Sequence, residues 1–165
     1  MILTRILRLY RVPLFVWHLR RKGIWADFKK VIHLDRCDQN KWPLIEEAYR
    51  RIMDKVPQNH LAAVSALEAL AEINMRRRNY IDAIPQFEKA VQLNEEQGTG
   101  VVRGTSHIFE CYGACLFLTE DFERARTAFE KAKELGGDVE NLDKKIKCCI
   151  EKRVVTELFA PNSTV

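Results

Sequence analysis

The stretch FERARTAFEKAKELGG, residues 122–137, decides the fold. Its apolar positions lie three and four residues apart, which places them along one stripe of a helix. These positions are Phe122, Ala125, Phe129 and Ala132. Alternating a small alanine with a large ring lets a neighbouring helix approach closely at one level and keeps it apart at the next. The stretch therefore predicts an amphipathic helix that packs against other helices and ends at Gly136 and Gly137.

Two earlier segments follow the same template. They are WPLIEEAYRRIMDKVP at residues 42–57 and YIDAIPQFEKAVQLNE at residues 80–95. Each of the three segments is preceded by another apolar-periodic stretch, which predicts three helical hairpins. A last periodic stretch after Asp138 predicts a capping helix with Leu142, Ile146, Cys149, Ile150 and Val154 on one side. Pro85 predicts that its helix begins late, with Asp82 as the cap.

These segments resemble the tetratricopeptide (TPR) family. The resemblance rests on the Ala and Phe positions above and on a large-then-small pair in the preceding helix, Tyr112–Gly113 and Leu70–Ala71. It covers residues 24–137, although the spacing between the last two repeats exceeds the family's period of about 34 residues. The resemblance implies an all-α, TPR-like α-solenoid of three helical hairpins with a C-terminal capping helix. We expect an N-terminal arm at 1–22, a helical domain at 23–158 and a tail at 159–165.

Composition agrees with a helical domain. The chain has 165 residues, of which 47% are apolar and 30% charged, with only 7 Gly and 5 Pro. These values exclude a disordered chain and argue against a turn-rich β-sandwich. The net charge of +4 arises at the N-terminus, where six basic residues precede the first acid, Asp27. A uniformly basic nucleic-acid surface is therefore not expected.

The N-terminal arm is basic, free of acids and amphipathic. This pattern is typical of mitochondrial transit peptides and of helices that lie on an anionic membrane surface. The residues predicted to dock on a membrane or a larger complex are Arg5, Arg8, Arg11, Phe15, Trp17, Arg20 and Arg21. Packing of the arm on the first hairpin is the alternative. We expect a mitochondrial location, at the inner membrane or in the matrix, with a cytoplasmic location as the alternative.

Candidate metal ligands repeat along one helix, at His107, Cys111 and Cys115. The first and last lie about 12 Å apart along the axis, too far to share one zinc ion. An adjacent pair would need help from Cys148 or Cys149, and buried cysteines usually act as small apolar side chains. The sequence also lacks a phosphate-binding loop, a nucleophile elbow and an HExxH string. We therefore expect no metal, no cofactor and no enzymatic activity.

In the TPR family, the first helices of successive repeats line a concave surface that binds partners. The resemblance places five residues there: Lys30, Glu68, Glu72, His107 and Cys111. The two glutamates predict an acidic surface, which would repel a carboxylate and suit a basic or apolar partner.

Together these features predict a non-catalytic scaffold. The expected role is that of an accessory or assembly subunit of a multiprotein complex, mitochondrial and membrane-associated, whose partners are protein subunits. One alternative is a soluble TPR adaptor that binds a short peptide in its concave groove. Another is a mitochondrial ribosome protein that contacts RNA through Arg76, Arg77 and Arg78, although a solvated turn explains this cluster better and nucleic acid is an unlikely partner.

Overall fold

A computed structural model describes residues 20–21, 23, 25–26, 38–57, 61–96 and 105–151. Within these ranges the chain is helical and contains no strand, so the all-α class is confirmed for this part of the protein. A short 3-10 helix, Gln39–Lys41, precedes six α-helices. These are α1 (Trp42–Lys55), α2 (Leu61–Arg76), α3 (Tyr80–Glu96), α4 (Thr105–Leu118), α5 (Phe122–Glu134) and α6 (Val139–Glu151).

The chain divides into two compact units, Met1–Ala66 and Leu67–Val165, and the division falls within α2. The boundaries expected from the sequence, after residue 22 and after residue 158, adjoin residues outside the described ranges. They stay predictions.

In the first unit, α1 is amphipathic as its spacing predicts. Its buried residues recur every three or four positions and are Trp42, Ile45, Tyr49 and Ile52. The opposite face carries ion pairs one turn apart, Arg50 with Glu46 and Arg51 with Glu47. Pro43 lies in the first turn, where a missing N–H has little consequence. The 3-10 helix before α1 is capped by Asp38, whose carboxylate accepts a hydrogen bond from the N–H of Asn40 at 3.0 Å.

In the second unit, neighbouring helices pack in chain order, α3 on α4, α4 on α5 and α5 on α6. Six alanine and phenylalanine positions of the repeated template lie in the core, as predicted, whereas Phe122 at the start of α5 is half-buried. They are Ala83, Phe87 and Ala90 in α3, and Ala125, Phe129 and Ala132 in α5.

Helices α4 and α5 approach each other closely at Gly113. A β-carbon at this position would lie 2.7 Å from Cε1 of Phe129, whose ring is fully buried. That distance is shorter than any van der Waals contact allows, so only glycine fits against the ring at this level. The small residue of the pair Tyr112–Gly113 therefore allows the ring of a neighbouring helix to pack closely.

The turns after α2 and α4 have the same backbone form. Arg78 and Glu120, 42 positions apart, both adopt left-handed conformations, with φ of 63° and 66°. The N–H of Asn79 bonds the carbonyl of Asn74, and the N–H of Asp121, again 42 positions later, bonds the carbonyl of Leu116, each at 2.9 Å. This is the Schellman pattern that ends many helices. The two turns, 42 residues apart, therefore share one backbone geometry.

The start of α3 differs from the prediction. The helix begins at Tyr80, with the N–H of Ala83 bonding the carbonyl of Asn79 at 3.1 Å, so Asp82 lies in the first turn and is not the cap. Pro85 is consequently inside the helix. It removes the N–H that would bond the carbonyl of Ile81, but both residues are exposed and water can take the place of that donor.

The last helix also departs from its predicted face. The glycine stop is confirmed, because Gly136 has a φ of 86° and the N–H of Gly137 bonds the carbonyl of Ala132 at 3.0 Å. Leu142 and Cys149 are buried as expected, whereas Ile150 is 63% exposed. Lys145 and Cys148 are buried in α6, and Val154 lies outside the described residues.

Candidate functional site

A polar cluster lies where α2 meets α4 in the second unit. His107 and Cys111 are four residues apart in α4, so they lie on one side of that helix. Glu72, near the C-terminal end of α2, lies opposite them. One oxygen, one nitrogen and one sulfur atom from these three side chains all lie within 4.8 Å of one another.

The shortest contact in the cluster joins the two helices. Nε2 of His107 lies 2.7 Å from Oε1 of Glu72, a hydrogen bond that is also an ion pair when the imidazole is protonated. The Glu72 side chain is only 6% exposed, whereas that of His107 is 54% exposed. The carboxylate is therefore held inside the protein and the imidazole closes the site toward solvent.

Cys111 forms the floor of the cluster. Its Sγ lies 3.5 Å from Nε2 and 3.9 Å from Nδ1 of His107. The side chain is buried, and this burial raises the pKa of the thiol above its ordinary value. Burial therefore favours the neutral thiol of Cys111, whereas the neighbouring imidazole of His107 acts in the opposite direction and favours the thiolate.

The environment favours the charged form of the imidazole. Hydrogen bonds with Cys111 and Glu72 raise the pKa of His107 to about 11. Burial acts in the opposite direction and only partly offsets these contacts. At neutral pH the cluster therefore contains an imidazolium beside a carboxylate.

A second polar contact lies one helical turn away and joins α4 to α6. Glu110 forms an ion pair with Lys145, and Nδ2 of Asn141 lies 3.5 Å from the same carboxylate oxygen. Lys145 is 6% exposed, and its Nζ lies 5.9 Å from the centre of the Phe129 ring. The sequence analysis missed Glu110 and Lys145. The available signal was a lysine three residues after Leu142, within the apolar stripe of α6.

The arrangement differs from a catalytic triad. In a cysteine–histidine–acid triad, one ring nitrogen faces the nucleophile and the other faces the acid. Here Nε2 of His107 is the nitrogen nearest to both Glu72 and Cys111. The imidazole is therefore not placed to relay a proton from the thiol to the acid, but the oxygen, nitrogen and sulfur atoms lie close enough together to contact one bound ion.

Of the residues predicted to form the concave surface, the structure brings Glu72, His107 and Cys111 together. Glu68 lies one turn before Glu72 in α2 and is half-buried. Lys30 is outside the described residues. The sequence identified the three members of the cluster but did not show that an acid from α2 reaches the histidine and cysteine of α4.

Only two of the predicted docking residues of the arm are described. Arg20 and Arg21 are exposed, and the guanidinium carbon of Arg20 lies 5.8 Å from the ring centre of Trp25. The other five lie outside the described residues: Arg5, Arg8, Arg11, Phe15 and Trp17. Among the described helices, none is both long enough and apolar enough to span a bilayer.

The basic cluster that was considered for RNA lies at the end of α2 and in the turn that follows. Arg76 is the last residue of α2 and is half-buried, while Arg77 and Arg78 are exposed. This position agrees with a solvated turn.

The chain was compared with protein-family models, with curated proteins and with solved structures, and none of the three comparisons gave a match.

Proposed function

We propose that this protein is a non-catalytic, TPR-like scaffold, an accessory or assembly subunit that presents helical surfaces to other proteins of a complex. The observation that carries the proposal is the repeated turn, in which Arg78 and Glu120 have the same left-handed backbone 42 residues apart. The buried rings Phe87 and Phe129 keep this offset. A unit that recurs with its turn and its core residue is typical of stacked helical hairpins, which bind partners on extended surfaces.

The first helices of the two hairpins supply the proposed binding surface. The hydrogen bond between Glu72 and His107 joins α2 to α4, and such a contact is expected between the first helices of neighbouring hairpins in a solenoid. This contact also changes the expected charge. Because His107 is protonated, it offsets the charge of Glu72 and makes the surface less acidic than the two glutamates alone predict. A partner with mixed polar and apolar character fits this surface better than a strongly basic one.

The N-terminal arm is the second proposed contact. Its basic and apolar residues suit an anionic lipid surface or a cleft in a larger complex, and this pattern supports a mitochondrial, membrane-associated location. In this proposal the arm attaches the protein and the helical hairpins position its partners.

The test separates the two contacts in the full-length chain. The tagged protein is purified from cells in three forms, namely wild type, a variant without residues 1–22, and Glu68→Lys. Cross-linking with mass spectrometry identifies the neighbours, and organelle fractionation gives the location. An integral subunit loses its assembly and its mitochondrial location when residues 1–22 are removed.

The soluble-adaptor alternative predicts the reverse pattern. Such an adaptor keeps its partner without residues 1–22 and loses it in Glu68→Lys. The matched control is Glu134→Lys, a charge reversal at an exposed position of α5. Loss of all partners in this control as well would count against the proposed surface on α2 and α4.

A further inference from the structure

Three side chains of different chemistry converge on one point at the α2–α4 contact. Glu72 offers a carboxylate oxygen, His107 an imidazole nitrogen and Cys111 a sulfur atom. All three types are ligands of Zn²⁺ and of related divalent transition-metal ions. The cluster differs from a group of surface acids, because Glu72 and Cys111 are buried and only the imidazole reaches solvent.

One of the two separations measured from His107 matches a shared ion, and the other requires a small adjustment. For tetrahedral coordination with ordinary zinc–ligand bonds, a nitrogen and a sulfur ligand lie about 3.6 Å apart, and a nitrogen and an oxygen about 3.4 Å apart. Nε2 of His107 lies 3.5 Å from Sγ of Cys111, which matches the first separation. It lies 2.7 Å from Oε1 of Glu72, so an ion needs this pair to open by about 0.7 Å. A small rotation of the half-exposed imidazole provides this movement.

The charge of the complex is also favourable. A divalent ion bound to a carboxylate, a thiolate and a neutral imidazole has no net charge. A neutral complex avoids the large penalty that an isolated ion incurs in a buried site. Such an ion also stabilises the thiolate form of Cys111, since a coordinating thiol is deprotonated by the metal.

The geometry points to a site for one divalent transition-metal ion of the zinc class, held by Glu72 Oε1, His107 Nε2 and Cys111 Sγ. The ion links α2 to α4, the first helices of the two hairpins. Three protein ligands leave a fourth position for water.

This site differs from the ligand set that the sequence excludes. The excluded set is His107, Cys111 and Cys115 on a single helix, whose outer two members lie too far apart to share one ion. In the structure the third ligand is Glu72 from another helix instead of Cys115. The distance between His107 and Cys115 along α4 therefore does not limit this site. An acid distant in sequence completes the set.

The test uses the full-length protein, purified under reducing conditions with a chelator and then freed of it. Co²⁺ is the probe, because it occupies zinc sites and a cobalt–thiolate bond gives a charge-transfer absorption. We expect one Co²⁺ per chain to produce this absorption and one Zn²⁺ to abolish it. Glu72→Gln and Cys111→Ser should weaken binding more than about 100-fold, since even losing an outer-shell partner costs about 10- to 100-fold.

The control replaces two cysteines outside the proposed site, Cys148 and Cys149 of α6. The double variant Cys148→Ser, Cys149→Ser should keep both the cobalt–thiolate absorption and the affinity for Co²⁺. Circular dichroism of each variant shows whether it is folded. Glu72→Gln, which nearly preserves the size of the side chain, tests the proposal even where Cys111→Ser does not fold.

Three outcomes would overturn the proposal. They are no stoichiometric absorption in the wild type, an unchanged affinity in Glu72→Gln, and absorption that persists in Cys111→Ser but disappears in the control. The proposal is independent of the scaffold function. Measuring partner binding with and without chelator distinguishes the metal site from the scaffold function. If the scaffold function is correct and the metal site is not, the protein keeps its partners under both conditions.

Discussion

Helix α4 has two sides that contact its neighbours by different means. Toward α5 it presents Gly113, on which the buried ring of Phe129 rests, and the contact is one of shape. Toward α2 it presents His107 and Cys111 to Glu72, and the contact is one of charge and hydrogen bonding. The first contact joins two helices that are consecutive in the chain, whereas the second joins α4 to a helix more distant in the sequence.

The two contacts also differ in how their strength responds to solution conditions. An apolar contact at close packing has one good arrangement, and its strength does not depend on pH or on dissolved ions. A polar contact responds to both, because protonation or an ion changes the charges that hold it. The contact between α4 and α5 is therefore suited to a fixed structure, and the contact between α4 and α2 is suited to control by pH or by a bound ion.

The largest effect is expected on the apolar side. Phe129→Ala should lower the free energy of unfolding by about 3–5 kcal/mol, because it leaves a cavity above Gly113 in a closely packed core. Urea denaturation followed by circular dichroism measures the loss. The comparison variant is Phe122→Ala, at a half-buried ring that begins the same helix, and a loss there as large as at Phe129 would contradict the assignment.

A smaller effect is expected on the polar side. Glu72→Gln keeps the size of the side chain but removes the charge that faces His107. It should lower the free energy of unfolding by about 1 kcal/mol. The loss is small because the half-exposed imidazole can form hydrogen bonds with water instead. The same denaturation experiment gives this value in the absence of metal. Glu88→Gln is the matched control, since Glu88 is exposed and contacts Tyr112 and Arg124. A loss that equals or exceeds that of Phe129→Ala would reverse the comparison.

The subtlest effect is a dependence on pH. The pKa of His107 is raised from 6.5 to about 11 in the folded protein. Its stabilising contribution is therefore complete below about pH 6.5 and is lost as the pH rises toward about 11. The difference in unfolding free energy between wild type and His107→Gln should shrink over this interval, with metal excluded. A difference that stays constant from pH 6.5 to about 11 would show that the pKa of the imidazole is not raised in the folded protein.

The sequence predicted the parts of the fold that depend on local spacing. Phe87 and Phe129 are buried and Gly113 admits a ring, because apolar residues at helical intervals have only one side on which to pack. Pro85 was harder to interpret, since a proline is tolerated inside a helix when the carbonyl it leaves unbonded faces water, and exposure is not visible in a motif.

The candidate site could be predicted only in part. Glu72, His107 and Cys111 were assigned to one surface through the family resemblance, but their mutual distances depend on how α2 lies against α4. The pairing of Glu110 with Lys145 was missed for the same reason, since a lysine in an apolar stripe shows that it needs a partner but not where that partner is. Contacts between distant segments need the tertiary structure.

The matching turns at Arg78 and Glu120 bear on how such a chain can arise. A segment that brings its own left-handed turn and its own core ring needs little from its surroundings beyond a neighbour of the same kind. Tandem duplication of one ancestral gene segment would yield such a pair. The side chains of the two copies could then diverge: at an offset of 42 residues Glu72 corresponds to Ala114, whereas His107 and Cys111 correspond to Ser65 and Ala69.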